Sequence, residues 1–314
     1  MQQVRWIAGA VTLCLLTLIM AAQVRAETHT PSNTRVGVEF RLSSAEMELF
    51  VNGVPVFSPN EGLSTQSSIN SGLDVNTSIQ KGANTITVRL RTVANDDGFD
   101  QAMRLRVLHW PTGFLPNFFA PDVPFLADVQ LTTTELGMLT VTSNTSQQTD
   151  AHPRPVVVSP PQVAPGEWIT ITIAFDLDMP FPQPVWPSVA QDLTGALELS
   201  ELTPLYRQIH DSAAQGQAGL LRAIKPSMDR AGAGYGWSGE QFFNHAFGVL
   251  FDPDLAFSLQ QLDTTGRNIR LFGGGRLATI IPSPITYVSE VTGETAELWL
   301  YFWKDQNAEW QLMQ

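Results

Sequence analysis

Four arginines bracket one acidic loop in TITVRLRTVANDDGFDQAMRLRVLHW, residues 85–110. Arg89 and Arg91 precede the loop, and Arg104 and Arg106 follow it. Residues two apart on a strand share a face, so a symmetric hairpin would set Arg91 against Arg104 and Arg89 against Arg106. Opposed like charges destabilise a sheet, and something must compensate. One compensation is internal: Glu39, Glu46 and Glu48 alternate with apolar residues, and a neighbouring acidic strand would build a salt-bridge ladder. The other is an anionic ligand or partner, since guanidinium groups grip carboxylate and sulfate with paired hydrogen bonds. The loop, Asn95 to Asp100, has the oxygen donors of a calcium site without the EF-hand spacing. An ordinary Asx/Gly turn uses the same letters.

A second candidate is Gly232-Ala-Gly-Tyr235-Gly-Trp237-Ser-Gly239. Tyr235 and Trp237 on a glycine-interrupted loop could form a pocket lid that stacks on sugars or rings. The plainer reading is a helix connector. No catalytic residue is expected. His29, His109, His152, His210 and His245 make no zinc spacing, and no nucleophile elbow or phosphate-binding glycine loop with its lysine occurs. The expectation is accordingly no metal and no cofactor.

Both candidates need elements to hold them. The N-terminus, MQQVRWIAGAVTLCLLTLIMAAQVRA, joins a cationic start to a short apolar run and small residues, the pattern of a signal peptide over residues 1–26. Its removal deletes Arg5, Arg25 and no acid, which takes the net charge from −12 to −14. It also deletes Cys14, so the exported chain would rely on burial rather than disulfides. Such an acidic chain is a poor partner for nucleic acid or anionic membranes. No later segment reads as a membrane span, and the expected location is periplasmic or secreted.

Short alternating runs from Thr34 to Phe175, broken by Gly, Pro and Asn, predict an antiparallel β-sandwich over residues 34–175, as one sandwich or two split near 111–120. Asn52-Gly53 predicts a tight hairpin. Residues 176–191, with four prolines, read as a linker. Residues 192–314 then predict helices followed by strands, an α+β layout. One helix is expected to begin at Thr203-Pro204 and a second to stop at Pro226, while Ser238 and Gln241 form a capping box for a third. The fold class is therefore mainly β with α+β. ELWLYFW, apolar on both faces, predicts a strand covered on both sides.

MELFVNGVPVF with IQKGANTITVRL resembles the jelly-roll or galactose-binding-like sandwiches that accompany carbohydrate-active enzymes, over about residues 35–110. The closing Phe302-x-Lys304…Trp310-x-Leu312 resembles the last hairpin of NTF2-like or SnoaL-like cones, over about residues 195–314. That likeness implies a pocket inside the cone, with the Tyr235 loop near its mouth.

The expected function is a non-enzymatic exported binding or protein-interaction protein. Its partner would be a glycan, an anionic small molecule or another exported protein, with Arg89, Arg91, Arg104, Arg106, Tyr235 and Trp237 as candidate binding residues. An NTF2-like enzyme acting on a small apolar substrate is the alternative, and a structural envelope component a third. The discriminator is the C-terminal interior: inward acids or histidines favour the enzyme, and a filling of apolar side chains disfavours it.

Overall fold

A computed structural model describes residues 34–57, 69–92, 102–111, 120, 123–133, 138–179, 181, 184–195 and 197–313. Residues 1–26, read above as a signal segment, and the loop from Asn95 to Asp100 lie outside the described residues.

The N-terminal part is a sandwich of two antiparallel sheets. One sheet takes β1 (Thr34–Ser43), β4 (Ile69–Asp74), β6 (Ala102–Pro111), β7 (Phe125–Thr133), β8 (Leu139–Thr145) and β11 (Gln162–Val163), in the order β11-β8-β7-β6-β1-β4. The other takes β2 (Ala45–Val51), β3 (Val54–Phe57), β5 (Gly82–Thr92), β9 (Ala151–Pro153), β10 (Val157–Ser159) and β12 (Ile169–Leu177), in the order β10-β12-β5-β2-β3 with β9 on β12. Residues 125–177 thus contribute to both sheets of one sandwich. Period-two alternation builds its core: Val36, Val38 and Phe40 from one sheet meet Ile86, Val88, Leu90, Ile171 and Ile173 from the other. Asn52 and Gly53 both adopt positive φ (51° and 79°), the geometry of a tight β2–β3 hairpin.

Strands β5 and β6 do not form the symmetric hairpin. β5 pairs with β2 and β12, whereas β6 pairs with β1 and β7. The two strands therefore lie in different sheets. Alternation fixes which side chains share a face but leaves the pairing partner open.

The proline-rich segment carries a one-turn helix, α1 (Trp186–Val189), with Trp186 buried. Three longer helices follow: α2 (Leu199–Ala213), α3 (Gln217–Ala233) and α4 (Gly239–Phe247). Helix α2 starts five residues before Pro204, and α3 continues through Pro226. An interior proline costs about 3 kcal/mol, but Leu220, Ile224, Met228 and Ala231 are buried on both sides of Pro226. That burial, at about 1.5–3 kcal/mol per large side chain, outweighs the lost hydrogen bond. The capping box at Ser238 and Gln241 forms as expected.

Seven short strands follow among the described residues. β13 (Phe257–Leu259), β16 (Thr286–Ser289) and β17 (Thr295–Glu297) form one sheet; β14 (Asn268–Phe272), β15 (Leu277–Ile281), β18 (Phe302–Lys304) and β19 (Trp310–Leu312) form another. The ELWLYFW run is therefore not one strand. It leaves the first sheet after Glu297 and enters the second at Phe302, burying Leu298 and Leu300 between them. Phe272-Gly-Gly-Gly-Arg276 turns the β14–β15 hairpin, with all three glycines at positive φ.

The two parts meet along a seam. Val54, Trp186, Phe272, Leu277 and Met313 form a small apolar core there, joined by Phe50, Tyr301 and Trp303. The Gly273 amide donates to the Gly53 carbonyl at 3.1 Å.

Candidate functional site

Each of the four candidate arginines already faces a carboxylate. Register sets Arg91 opposite Glu46 and Arg89 opposite Glu48, and their ion pairs close at 2.7 and 2.6 Å. Arg104 reaches Asp128 at 2.6 Å, and Arg106 pairs with Glu39 across β1 and β6. Glu39, Glu46 and Glu48 are the carboxylates the alternation singled out; Asp128 is an addition from β7. Arg89 and Arg91 also flank the Trp168 ring at 4.8 and 5.0 Å, and Arg270 of β14 joins Glu48 at 2.9 Å. The four arginines are divided between two sheets and do not make one cationic face.

Tyr235 and Trp237, by contrast, are brought together. Helix α3 ends at Ala233, Gly236 takes φ +70°, and Ser238 caps α4, so the intervening residues turn back on themselves. The Trp237 amide donates to the Gly232 carbonyl at 2.9 Å. Gly232 is required there, because a Cβ would stand 2.8 Å from the Trp237 carbonyl oxygen. The two rings stack with centroids 5.1 Å apart, Phe242 lies 5.4 Å from Tyr235, and His245 meets Trp237 edge-on at 5.3 Å.

This aromatic corner docks on the sandwich. The Tyr235 hydroxyl donates to Asp74 at the end of β4 at 2.8 Å. The guanidinium of Arg35 sits over the Tyr235 ring at 4.1 Å, with Trp237 at 5.8 Å. Desolvation pushes the Tyr235 hydroxyl well above the usual phenol range, and the Asp74 charge adds to it. Desolvation likewise raises the Asp74 carboxyl, opposed by hydrogen bonds from the Asn76 amide and Tyr235. Asp74 still keeps an exposed edge, which limits the size of that effect.

Arg35 is the functional candidate that sequence reasoning missed. It is 9% exposed, its Nη2 makes one long bond of 3.4 Å to the Tyr235 carbonyl, and its buried Nη1 has no partner. One signal was available. Arg35, Gly37, Glu39 and Arg41 share the outer face of β1, and Gly37 is the gap that admits the Trp110 ring, 2.6 Å from where a Cβ would stand.

The C-terminal interior is filled. Leu202, Tyr206, Ile224, Phe243, Ile280, Ile285, Leu300 and Phe302 pack into one cluster. The Tyr206 hydroxyl is held there by Thr279, by the Leu300 carbonyl at 3.0 Å and by the Ile280 amide, and burial pushes it up to about 12. Elsewhere His109 lies 3.5 Å from Asp150, with burial lowering its pKa. No three His, Cys, Asp or Glu side chains among the described residues cluster to hold a metal ion. No helix among them is long and apolar enough to cross a membrane. No family model, curated protein or solved structure matches the chain.

Proposed function

We propose that this chain is an exported, non-enzymatic binding protein that captures its ligand at the seam between sandwich and helices. The observation that carries this reading is the Tyr235–Trp237 stack, anchored to Asp74 and backed by the half-satisfied guanidinium of Arg35. Stacked aromatic faces beside a cation suit the glycans and anionic small molecules expected from the sequence. An exported protein partner that offers the same groups would fit equally well.

The filled C-terminal interior supports binding over catalysis. An NTF2-like enzyme would work inside its cone, but the volume between these helices and strands is taken by Leu, Ile, Phe and Tyr side chains. Export rests on the signal pattern of residues 1–26. Two measurements test the proposal. The N-terminus of the protein recovered outside the cytoplasm should begin at Glu27. Retention on arrays of neutral and acidic glycans should be lost in Trp237→Ala and kept in Arg89→Glu. Retention that disappears only in Arg89→Glu would overturn the placement of the site.

A further inference from the structure

We propose that Arg35 is the recognition point for a carboxylate carried on a ring-shaped body, admitted when the turn of residues 234–238 swings away from the sandwich. This deepens the binding reading and rests on it.

The starting point is a cost that the fold does not recover. Arg35 is nine-tenths buried and its Nη1 has no acceptor. A buried charged donor without a partner is expensive, and native proteins keep few of them. The ring of Tyr235 covers the flat face of the guanidinium. It leaves the N–H edges wanting, and the Tyr235 carbonyl at 3.4 Å meets only one of them, weakly. The nearby acid does not fill the gap: Asp74 Oδ1 accepts from the Tyr235 hydroxyl at 2.8 Å and from the Asn76 amide at 2.9 Å, and the carboxylate makes no ion pair with Arg35 although its charge is felt there. What the site lacks is a pair of acceptors in the guanidinium plane, and a carboxylate supplies that.

The same corner offers the rest of a binding site. Tyr235 and Trp237 present stacked rings, with His245 at the far edge of Trp237. A ring attached to the carboxylate would lie against them. Access requires movement, since Nη1 is enclosed, and the covering segment is the short turn of residues 234–238 between two helices. Gly234 and Gly236 lie within it, Gly236 at φ +70°, and its amides at Tyr235 and Trp237 bond locally, to Gly232. Its polar ties to the sandwich are the Tyr235 hydroxyl on Asp74 and the long Arg35 bond. A ligand carboxylate would replace the Tyr235 carbonyl and engage both terminal nitrogens.

The chemistry is shared by aromatic acids and by uronic acids of polysaccharides, and the probes separate them. Melting temperature and calorimetric titration are measured on the native protein with benzoate and with glucuronate, each beside its neutral counterpart, benzamide or methyl glucoside. A carboxylate probe is expected to bind and raise the melting temperature while its neutral counterpart does not; whichever of benzoate and glucuronate binds names the ring. Arg35→Met should weaken that binding about 10- to 100-fold, with Arg35→Lys in between. Arg35→Met removes the unpartnered N–H edge but also the charge that favours ionised Asp74, so the variant expected to melt no lower than the native protein is the one that removes both charges. Arg35→Met/Asp74→Asn removes both charges and controls for the acid left behind. The proposal is overturned if Arg35→Met/Asp74→Asn melts well below the native protein, which would make Arg35 a structural group. It is overturned too if neutral probes bind as tightly as charged ones; the seam reading then survives, provided Trp237→Ala abolishes that binding. If no probe shifts the native protein, the carboxylate assignment falls, and the glycan-array retention decides the seam reading separately.

Discussion

Arg106 of β6 and Glu39 of β1 face each other in register and form an ion pair with side chains only 1% and 4% exposed. Arg106 spends a second donor on the Ala120 carbonyl at 2.9 Å. The pair turns what looked like part of a cationic surface into an element of the scaffold. Removing one partner strands the other charge, which costs about 3–5 kcal/mol. Arg106→Met should therefore lower the urea midpoint sharply, and Arg106→Met/Glu39→Leu should recover much of the loss. Equal loss in the single and double variants would count against the pair.

The exposed rungs should behave differently. Arg89, Arg91 and Arg104 keep about 40% of their side-chain surface, and exposed pairs contribute about 0.2–1 kcal/mol each. Arg89→Glu or Arg104→Glu should cost a small amount of stability, most visible at low salt, and leave ligand retention unchanged. Unchanged melting with lost retention would return these arginines to the binding site.

Asp74 gives the seam a pH dependence with a definite sign. Its folded pKa lies above the ordinary 3.8, raised by desolvation and held back by Asn76, Tyr235, Arg35 and His245. The folded protein thus binds the proton more tightly than the unfolded chain. Its contribution is most favourable below pH 3.8 and is lost as pH rises through the folded value. Native protein should lose stability relative to Asp74→Asn across that window, measured by urea midpoints at successive pH values. A relative gain with rising pH would contradict the assignment.

Gly273 locks the seam at its other end. It has φ +59°, and a Cβ there would stand 2.6 Å from the Trp186 ring. Gly273→Ala should cost about 1–3 kcal/mol by overpacking and backbone strain. Hydrogen exchange should rise first at the Gly53 carbonyl's partner, the amide of residue 273, if the seam opens before the sandwich. Uniform acceleration across both sheets would show that the two parts unfold as one.

The sandwich was legible because burial on one face imposes period-two alternation, and VEFRL, MELFV and TITVRLR carry it. The Asn-Gly hairpin, the capping box at Ser238 and three acidic partners of the arginines were legible for similarly local reasons. The placing of β5 and β6 in different sheets was not, since alternation is the same whichever strand lies alongside. Pro204 and Pro226 misled for another reason: burial of Leu202, Ile224 and Met228 outweighs a local helix penalty. The aromatic pair could be named from its loop, but its setting could not. Arg35 and Tyr235 are two hundred residues apart in the chain, and no local pattern links them.

The central claim is that ligand meets the protein at the Tyr235–Trp237 corner rather than inside the C-terminal core. Tryptophan indole N–H resonances, assigned with Trp237→Phe, test it most directly during titration with benzoate and glucuronate. The Trp237 resonance should move with saturation while those of Trp303 and Trp310 stay still. A still Trp237 beside a moving Trp310, which packs against the filled interior, would contradict it.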